Sequence, residues 1–330
     1  MALVAFGLWF ALKDDYEQVI ENIQRLPIYV VLFVCALGIL YYSIQGAILT
    51  YVAKKYKPEI RLRDGIENAY VAAFFNGVTP LGGGQVAQSY VFRKMGIDFG
   101  NIASILWTDF FMFQIVVITY AALLIIFNLP FALETLGGYF IFVLAGLAIN
   151  SFVIVALWMM SKFPKLFIKL TKGIVFLLHK IRIVKDEEVT FKKWKLNLDY
   201  FSEQIVKMKG DKSLFFVGIP LNIIRMTIFY AVPFFIAMAF GFKFDFIDFM
   251  HVLAISSFVH MLNALTPLPG DTGFTETMFI LIFSSMFSSS YAPAIMIIWR
   301  LATYYIHVII GGAVFLAFKI RYRKKEEDVA

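Results

Sequence analysis

Charge is scarce in this chain, and cysteine scarcer still. Only 16% of the 330 residues are charged, against roughly 25% in soluble domains, and this excludes a water-soluble globule. The single cysteine, Cys35, excludes an intrachain disulfide. Of the four histidines, His251 and His260 lie in one apolar stretch, but no cysteine or close carboxylate completes a metal-ligand spacing. Satisfied packing histidines are the expectation there. No Gly-x-Ser-x-Gly elbow or His-Glu-x-x-His pair occurs, and Gly82-Gly83-Gly84-Gln85 is not followed by the Lys-Ser/Thr of a phosphate-binding loop. Bound nucleotide as an energy source, a metal and a cofactor are therefore not expected.

Hydrophobic residues make up 60% of the chain, with 37 phenylalanines. Uncharged runs over Leu26–Ala53, Phe110–Leu133, Thr135–Ser161 and Thr277–Trp299 exceed the ~20 residues that cross a bilayer core. The fold class is thus an all-α polytopic membrane protein, read as one membrane domain over residues 1–330. Met1–Leu12 is apolar but too short to span, and it has neither a basic start nor a cleavage site. It reads as the tail of a spanning helix ending near Leu12.

Lys and Arg are unevenly spread, and cytoplasmic loops attract them. Five basic residues lie in Lys54–Glu67, five more in the tail from Lys319, and thirteen against six acidic between Lys162 and Lys212. Asn128–Gly138 and Ser284–Ala292 have none. The basic group, and with it the C-terminus, is assigned to the cytoplasm. In Phe167–Lys185 apolar residues alternate with lysines, as in an interfacial helix on an anionic leaflet. The net charge of +7 is concentrated there, which points to a membrane surface and not to nucleic acid.

One phrase occurs twice. Asn76-x-x-Thr79-Pro80-Leu81-x-Gly83 returns as Asn263-x-x-Thr266-Pro267-Leu268-x-Gly270, each position offset by 187. Paired helix breakers at corresponding places point to duplicated halves around a transport site. Basic residues flank the first phrase on both sides, so its segment enters and leaves from the cytoplasm, whereas the flanks of the second are poor in them. The expected layout is an inverted repeat of span, re-entrant hairpin and span. The first repeat covers about 27–127 and the second about 214–318. Spans are placed at about 27–52, 103–127, 138–160, 214–241 and 292–318, hairpins at about 66–95 and 247–289, and a basic cytoplasmic loop at about 161–212.

Ionisable residues inside spans face cavities or partners by default. Asp109, Arg225 and Arg300 are such residues, and Tyr304 shares a helical stripe with Arg300. Gln85 and Gln88 follow the first breaker, and Asp271 and Glu276 follow the second. Together with Asn76, Thr79, Gly83, Asn263, Thr266 and Gly270 they form the candidate substrate site, with no catalytic residue assigned. The glycines open helix N-termini that favour a phosphate. The structural alternatives are an N-cap role for Asp271, an Arg225–Asp109 pair, and snorkelling of Arg300.

Phe74-Phe75-Asn76-Gly77-Val78-Thr79-Pro80-Leu81-Gly82-Gly83-Gly84-Gln85, with Gln88 and Arg93-Lys94, resembles the first signature of the flippase-like membrane domain of lysylphosphatidylglycerol synthases. Thr266-Pro267-Leu268-Pro269-Gly270 through Glu276 resembles the second, and Trp299-Arg300, Tyr304-Tyr305 and Gly311-Gly312 resemble the last helix. Nearly the whole chain is covered. The chain departs from the family pattern at Gln85, Gln88 and Ser89, where many members carry an acidic residue and an arginine. It departs again at Asp271, where many have a second glycine. The synthases also carry a cytosolic aminoacyl-transferase domain, whereas this chain ends at Ala330, so lipid lysylation is not expected of it.

The resemblance implies a lipid flippase of a bacterial plasma membrane, moving a phospholipid, aminoacyl-phospholipid or polyprenyl-phosphate headgroup. Its partners are then membrane lipids, with a homo-oligomer left open. A lipid-modifying membrane enzyme using His251 or His260 with Glu276, and a non-transporting scaffold for such a synthase, are the alternatives.

Overall fold

The computed structural model describes residues 16–327 except 81, 181–183, 185, 197–198, 200–209, 267 and 289. The expected partial helix ending near Leu12 lies outside the described residues. The chain is all-helical, with no strand among the described residues. In order the main helices are α1 (Tyr16–Arg25), α2 (Ile28–Ala53), α3 (Leu62–Val78), α4 (Gly84–Lys94), α5 (Phe99–Phe127), α6 (Leu129–Leu136) and α7 (Phe140–Lys162). They continue with α8 (Pro164–Lys180), α9 (Lys212–Ala239), α10 (Phe246–Leu262), α11 (Phe274–Phe283), α12 (Tyr291–Arg300) and α13 (Ile306–Glu327). Five stretches are long and apolar enough to cross a membrane: Ile28–Ala53, Phe99–Phe127, Leu129–Ala156, Lys212–Ala239 and Tyr291–Arg323. This is a multi-pass membrane protein.

Local sequence explains the helix ends. Pro27, extended at φ −62°, starts α2. Asp211 caps α9 by accepting from the Ser213 amide at 3.1 Å and pairs with Lys55 beyond the end of α2 at 2.6 Å. That lysine, first among the causes, holds the Asp211 carboxyl below the ordinary carboxylate range. Asp245 and Asp248 close a capping box on α10.

Each repeated phrase breaks a helix into a long and a short piece. α3 and α10 are 17 residues each, whereas α4 and α11 are 11 and 10. At 1.5 Å per residue the short pieces reach about 15–17 Å, roughly half of a bilayer core. The pieces fold back on each other: Asn68 Nδ2 of α3 donates to the Gln88 carbonyl of α4 at 3.2 Å. α3 packs on α2 and α13, as α10 packs on α9 and α5, while α2 crosses α9. Two apolar cores lie at opposite ends of the long helices. One joins Val30 and Val34 of α2 and Ala121 and Leu124 of α5 to α10 and α11. The other joins Ile48 and Val52 of α2 and Ile102 and Ile105 of α5 to Val91 and Phe92 of α4.

Helix α7 lies outside this pairing, against α5 and α10. α1, in a stretch to which no element was assigned, packs on α12, with Asn22 Nδ2 donating to the Ser290 carbonyl at 3.4 Å. The helix expected over 167–185 is α8, and it ends at Lys180. It has three faces: Thr171 and Val175 are buried, Leu166, Leu170, Ile174 and Leu177 are exposed, and Lys169, Lys172 and Lys180 form an exposed basic row.

Glycine at position 270 is required twice over. Its φ is +58°, and a Cβ would stand 2.3 Å from the Tyr304 ring. Gly83, by contrast, has an ordinary φ of −70° but is met at 2.4 Å by Thr79 Oγ1. The left-handed turn in the first breaker falls on Gly82, at φ +70°. Gly270→Ala is expected to cost about 2–5 kcal/mol from left-handed strain and overpacking together. It would lower the thermal midpoint of detergent-purified protein, whereas Gly138→Ala, with open space around it, leaves the midpoint unchanged. Equal midpoints for the two variants would show that the turn tolerates a side chain.

Candidate functional site

At membrane depth a broken helix needs protein groups for its free amides and carbonyls. Asn76 and Thr79 supply them in the first breaker and Thr266 in the second, where Asn263 bonds a side-chain hydroxyl instead. Asn76 Oδ1 accepts from the Gly84 amide at 2.9 Å, and Thr79 Oγ1 accepts from the Gly83 amide at 2.8 Å while donating to the Phe75 carbonyl. In the second breaker Asn263 Oδ1 accepts from Thr275 Oγ1 at 2.8 Å, and Thr266 Oγ1 accepts from the Leu268 amide at 3.3 Å. The amides of Gly83 and Gly84, expected as free donors, are therefore occupied.

The two breakers meet at Tyr304. Its hydroxyl donates to the Gly77 carbonyl at 2.9 Å, and its ring lies against Gly270. A π-helical turn over Leu301–Tyr305 interrupts the last span just after Arg300, and such turns often mark functional places in helices. His307 Nε2 lies 2.7 Å from the Ala302 carbonyl within this irregularity.

Arg300 is directed at the second breaker. Its Nε is 2.8 Å from Glu276 Oε1, and its Nη2 donates to the Gly270 and Asp271 carbonyls at 3.3 and 3.5 Å. The contact with Glu276 is close but poorly aligned, so it is an ion pair more than a directed hydrogen bond. Glu276 Oε2 accepts from the Gly273 amide at 2.6 Å, which places it in the first turn of α11. Asp271 does not cap: α11 starts at Phe274 after Gly273, and Asp271 itself adopts φ +52°.

Arg225 lies in a different environment. It is 5% exposed and lines a cavity of about 480 Å³ together with Tyr41, Tyr42, Gln45, Asp109 and Phe113. Asn76, Gln85 and Gln88 close the cavity from the first broken pair. The guanidinium is sandwiched between the rings of Tyr41 and Phe113, at 4.4 and 4.7 Å. It donates to Asn222 Oδ1 at 3.2 Å, Tyr41 Oη at 2.9 Å and Gln45 Oε1 at 3.3 Å, and its Nε has no partner. Asn222 is held in turn by the Gly218 carbonyl at 2.9 Å. The structural alternative of a direct pair with Asp109 is not what the side chains adopt: no ion pair joins the two. Both line the cavity, and Asp109 Oδ1 is likewise unpartnered among the described residues.

Of the candidates, Asn76, Gln85, Gln88, Asp109 and Arg225 are thus brought to one cavity. Asn263, Thr266, Gly270, Asp271, Glu276, Arg300 and Tyr304 gather instead at the second breaker. Tyr41, Gln45 and Phe113 were missed. Gln45, a lone amide in the uncharged run Leu26–Ala53, was the available signal. His251 stacks on Phe131 at 3.7 Å, and His260 packs among Phe113, Phe229 and Tyr230.

The sequence profile of the lysylphosphatidylglycerol synthase TM region matches residues 1–311. The chain belongs to this family. No curated protein matches the chain. Membership makes it a membrane domain related to lipid handling.

If the Arg300–Glu276 pair holds the second breaker, Glu276→Gln should destabilise the protein by about 3–5 kcal/mol, because it leaves a buried guanidinium uncompensated. Pairing it with Arg300→Met should recover most of the loss, as read from thermal midpoints in detergent. A single variant as stable as the unmodified protein would show that the pair does no structural work.

Proposed function

We propose that the protein is a lipid translocase whose cavity takes the phosphate-bearing headgroup while the acyl or prenyl tails stay in the bilayer. One observation carries this reading: Arg225 is a buried, aromatic-clamped guanidinium on the wall of a cavity, held by neutral oxygens and with no carboxylate paired to it among the described residues. Guanidinium groups match phosphate oxygens bidentately. Arg300, already engaged by Glu276 and two carbonyls, serves in this proposal to hold the second breaker against Tyr304. The two broken pairs are re-entrant hairpins of an inverted repeat, entering from opposite faces, and rocking of one half against the other alternates access to the cavity.

In the same proposal the membrane is the bacterial plasma membrane, with the C-terminus in the cytoplasm. α8 lies along the inner leaflet, its apolar face at acyl depth and its lysine row among anionic headgroups. Single cysteines introduced at Lys55 and Lys94 are expected to label from the cytoplasmic side only, and one at Glu134 from outside only. The buried Cys35 leaves a quiet background. Labelling of positions 55 and 94 from opposite sides would make the first broken pair a simple crossing.

The function is tested with purified protein in vesicles carrying fluorescent phosphatidylglycerol, following its passage between leaflets. Arg225→Lys keeps the charge but loses the planar fork, so passage should fall about tenfold or more for the loss of one charged hydrogen-bond pair. The thermal midpoint should barely move. Passage within twofold of the unmodified protein would remove Arg225 as the phosphate anchor, and a chemically altered lipid would favour a membrane enzyme.

A further inference from the structure

Asp109 raises a question that phosphate binding alone leaves open. It is 7% exposed in the middle of α5, makes no ion pair among the described residues, and its Oδ1 is sealed without a donor. It shares the cavity wall with Arg225. The groups facing it are few. Tyr41 and Tyr42 come from α2, Arg225 from α9, and the uncharged amides of Asn76, Gln85 and Gln88 from α3 and α4. From α10 the nearer titratable group is His260, packed among the rings of Phe113, Phe229 and Tyr230. α7 offers the amide of Asn150, held by Gln114 at 3.3 Å, and Glu134 of α6 is exposed.

Charge balance in this space admits few states. With the cavity empty of ligand, one guanidinium and one carboxylate cancel across it. A phosphodiester anion entering beside Arg225 adds a second negative charge to a low-dielectric space, where like charges interact strongly and uncompensated charge is costly. The cavity regains neutrality when the carboxylate takes up one proton. No other group on the wall can do this: Arg225 stays charged, the amides do not titrate and the tyrosines are already protonated, while His260 packs among aromatic rings and does not line the cavity.

We infer that Asp109 is a proton site and that the cavity takes an anionic phosphodiester headgroup together with one proton. The inference rests on the phosphate reading of Arg225 and extends it. The proton comes from water at the mouth, where Gly82 and Gln85 are exposed, and ends on the Asp109 carboxylate. No bond of the lipid is broken. A gradient of protons would then drive lipid passage, and the two bindings reinforce each other reciprocally.

The test is calorimetric binding of dihexanoylphosphatidylglycerol to the full-length purified protein, repeated in buffers of different ionisation enthalpy. The expected result is uptake of about one proton per lipid, with affinity weakening about tenfold per pH unit above the range in which the carboxyl titrates. Asp109→Asn should take up none and should bind several-fold tighter than the unmodified protein at pH 8. Asp109→Glu should retain the uptake, so the question is decided even where the asparagine variant folds poorly. Binding without proton uptake would overturn the inference and leave the phosphate site standing. Binding confined to dihexanoylphosphatidylethanolamine, again without uptake, would also overturn it, since Asp109 would then be holding an ammonium. Failure of both lipids to bind would remove the phosphate reading and this inference with it.

Discussion

An amide or carbonyl released from a helix in the middle of a bilayer has no water to bond, and each one left open costs several kcal/mol. This protein releases such groups at two places, and much of its interior is arranged around satisfying them. Asn76 and Thr79 close the first breaker, while Asn263, Thr266 and Arg300 close the second. Tyr304 then ties one breaker to the other. The repeated Asn-x-x-Thr-Pro phrase is therefore a set of caps: Pro ends the helix, and Asn and Thr accept or donate where the ladder stops. The first interruption brings the amides of Asn76, Gln85 and Gln88 to the cavity wall, beside the polar side chains that the unbroken helices α2, α5 and α9 supply.

The two buried arginines show how environment divides roles that residue type leaves equal. Both are nearly inaccessible, at 5% and 6% exposure. Arg300 has a carboxylate 2.8 Å away and two carbonyls, so its charge and its donors are consumed within the fold. Arg225 has neutral oxygens and two ring faces. Rings and amides stabilise a cation without cancelling it, so the charge remains available to whatever enters the cavity. Removing Glu276 would turn the first kind of site into a costly buried charge, whereas the second kind already carries that cost.

Much of the scaffold was legible in the sequence, because span length and breaker chemistry are one-dimensional signals. The spans at 27–52, 103–127 and 214–241 fall within two to four residues of α2, α5 and α9. The offset of 187 found both broken pairs. The π-turn at Leu301–Tyr305 was not legible, since nothing in Leu-Ala-Thr-Tyr-Tyr distinguishes it from an α-helical turn. Only packing against the breakers selects it. The wall of the cavity was half legible. Asp109, Arg225, Gln85 and Gln88 stand out as polar residues in apolar runs, but Tyr41 and Phe113 are aromatics in a chain with 37 phenylalanines, and their role depends on which way they face. Periodicity also could not tell that Arg225 and Asp109 would stand apart across a space instead of in contact.

That separation is what makes the cavity more than a structural ion pair. Two opposite charges in contact in a low-dielectric interior attract strongly and leave nothing for a ligand. Here the two make no ion pair but line the same cavity of about 480 Å³, with Tyr41 and Phe113 fixing the guanidinium and Asp109 Oδ1 lacking a donor among the described residues. In the proposed mechanism an anion takes the carboxylate's place as the counter-charge of the guanidinium, and the carboxylate is neutralised in the same event. The aromatic clamp and the missing direct pair are thus two parts of one arrangement: the rings, with Asn222 and Gln45, hold Arg225 without a counter-charge, and in the proposal a direct pair with Asp109 would make the anion compete with a tethered partner.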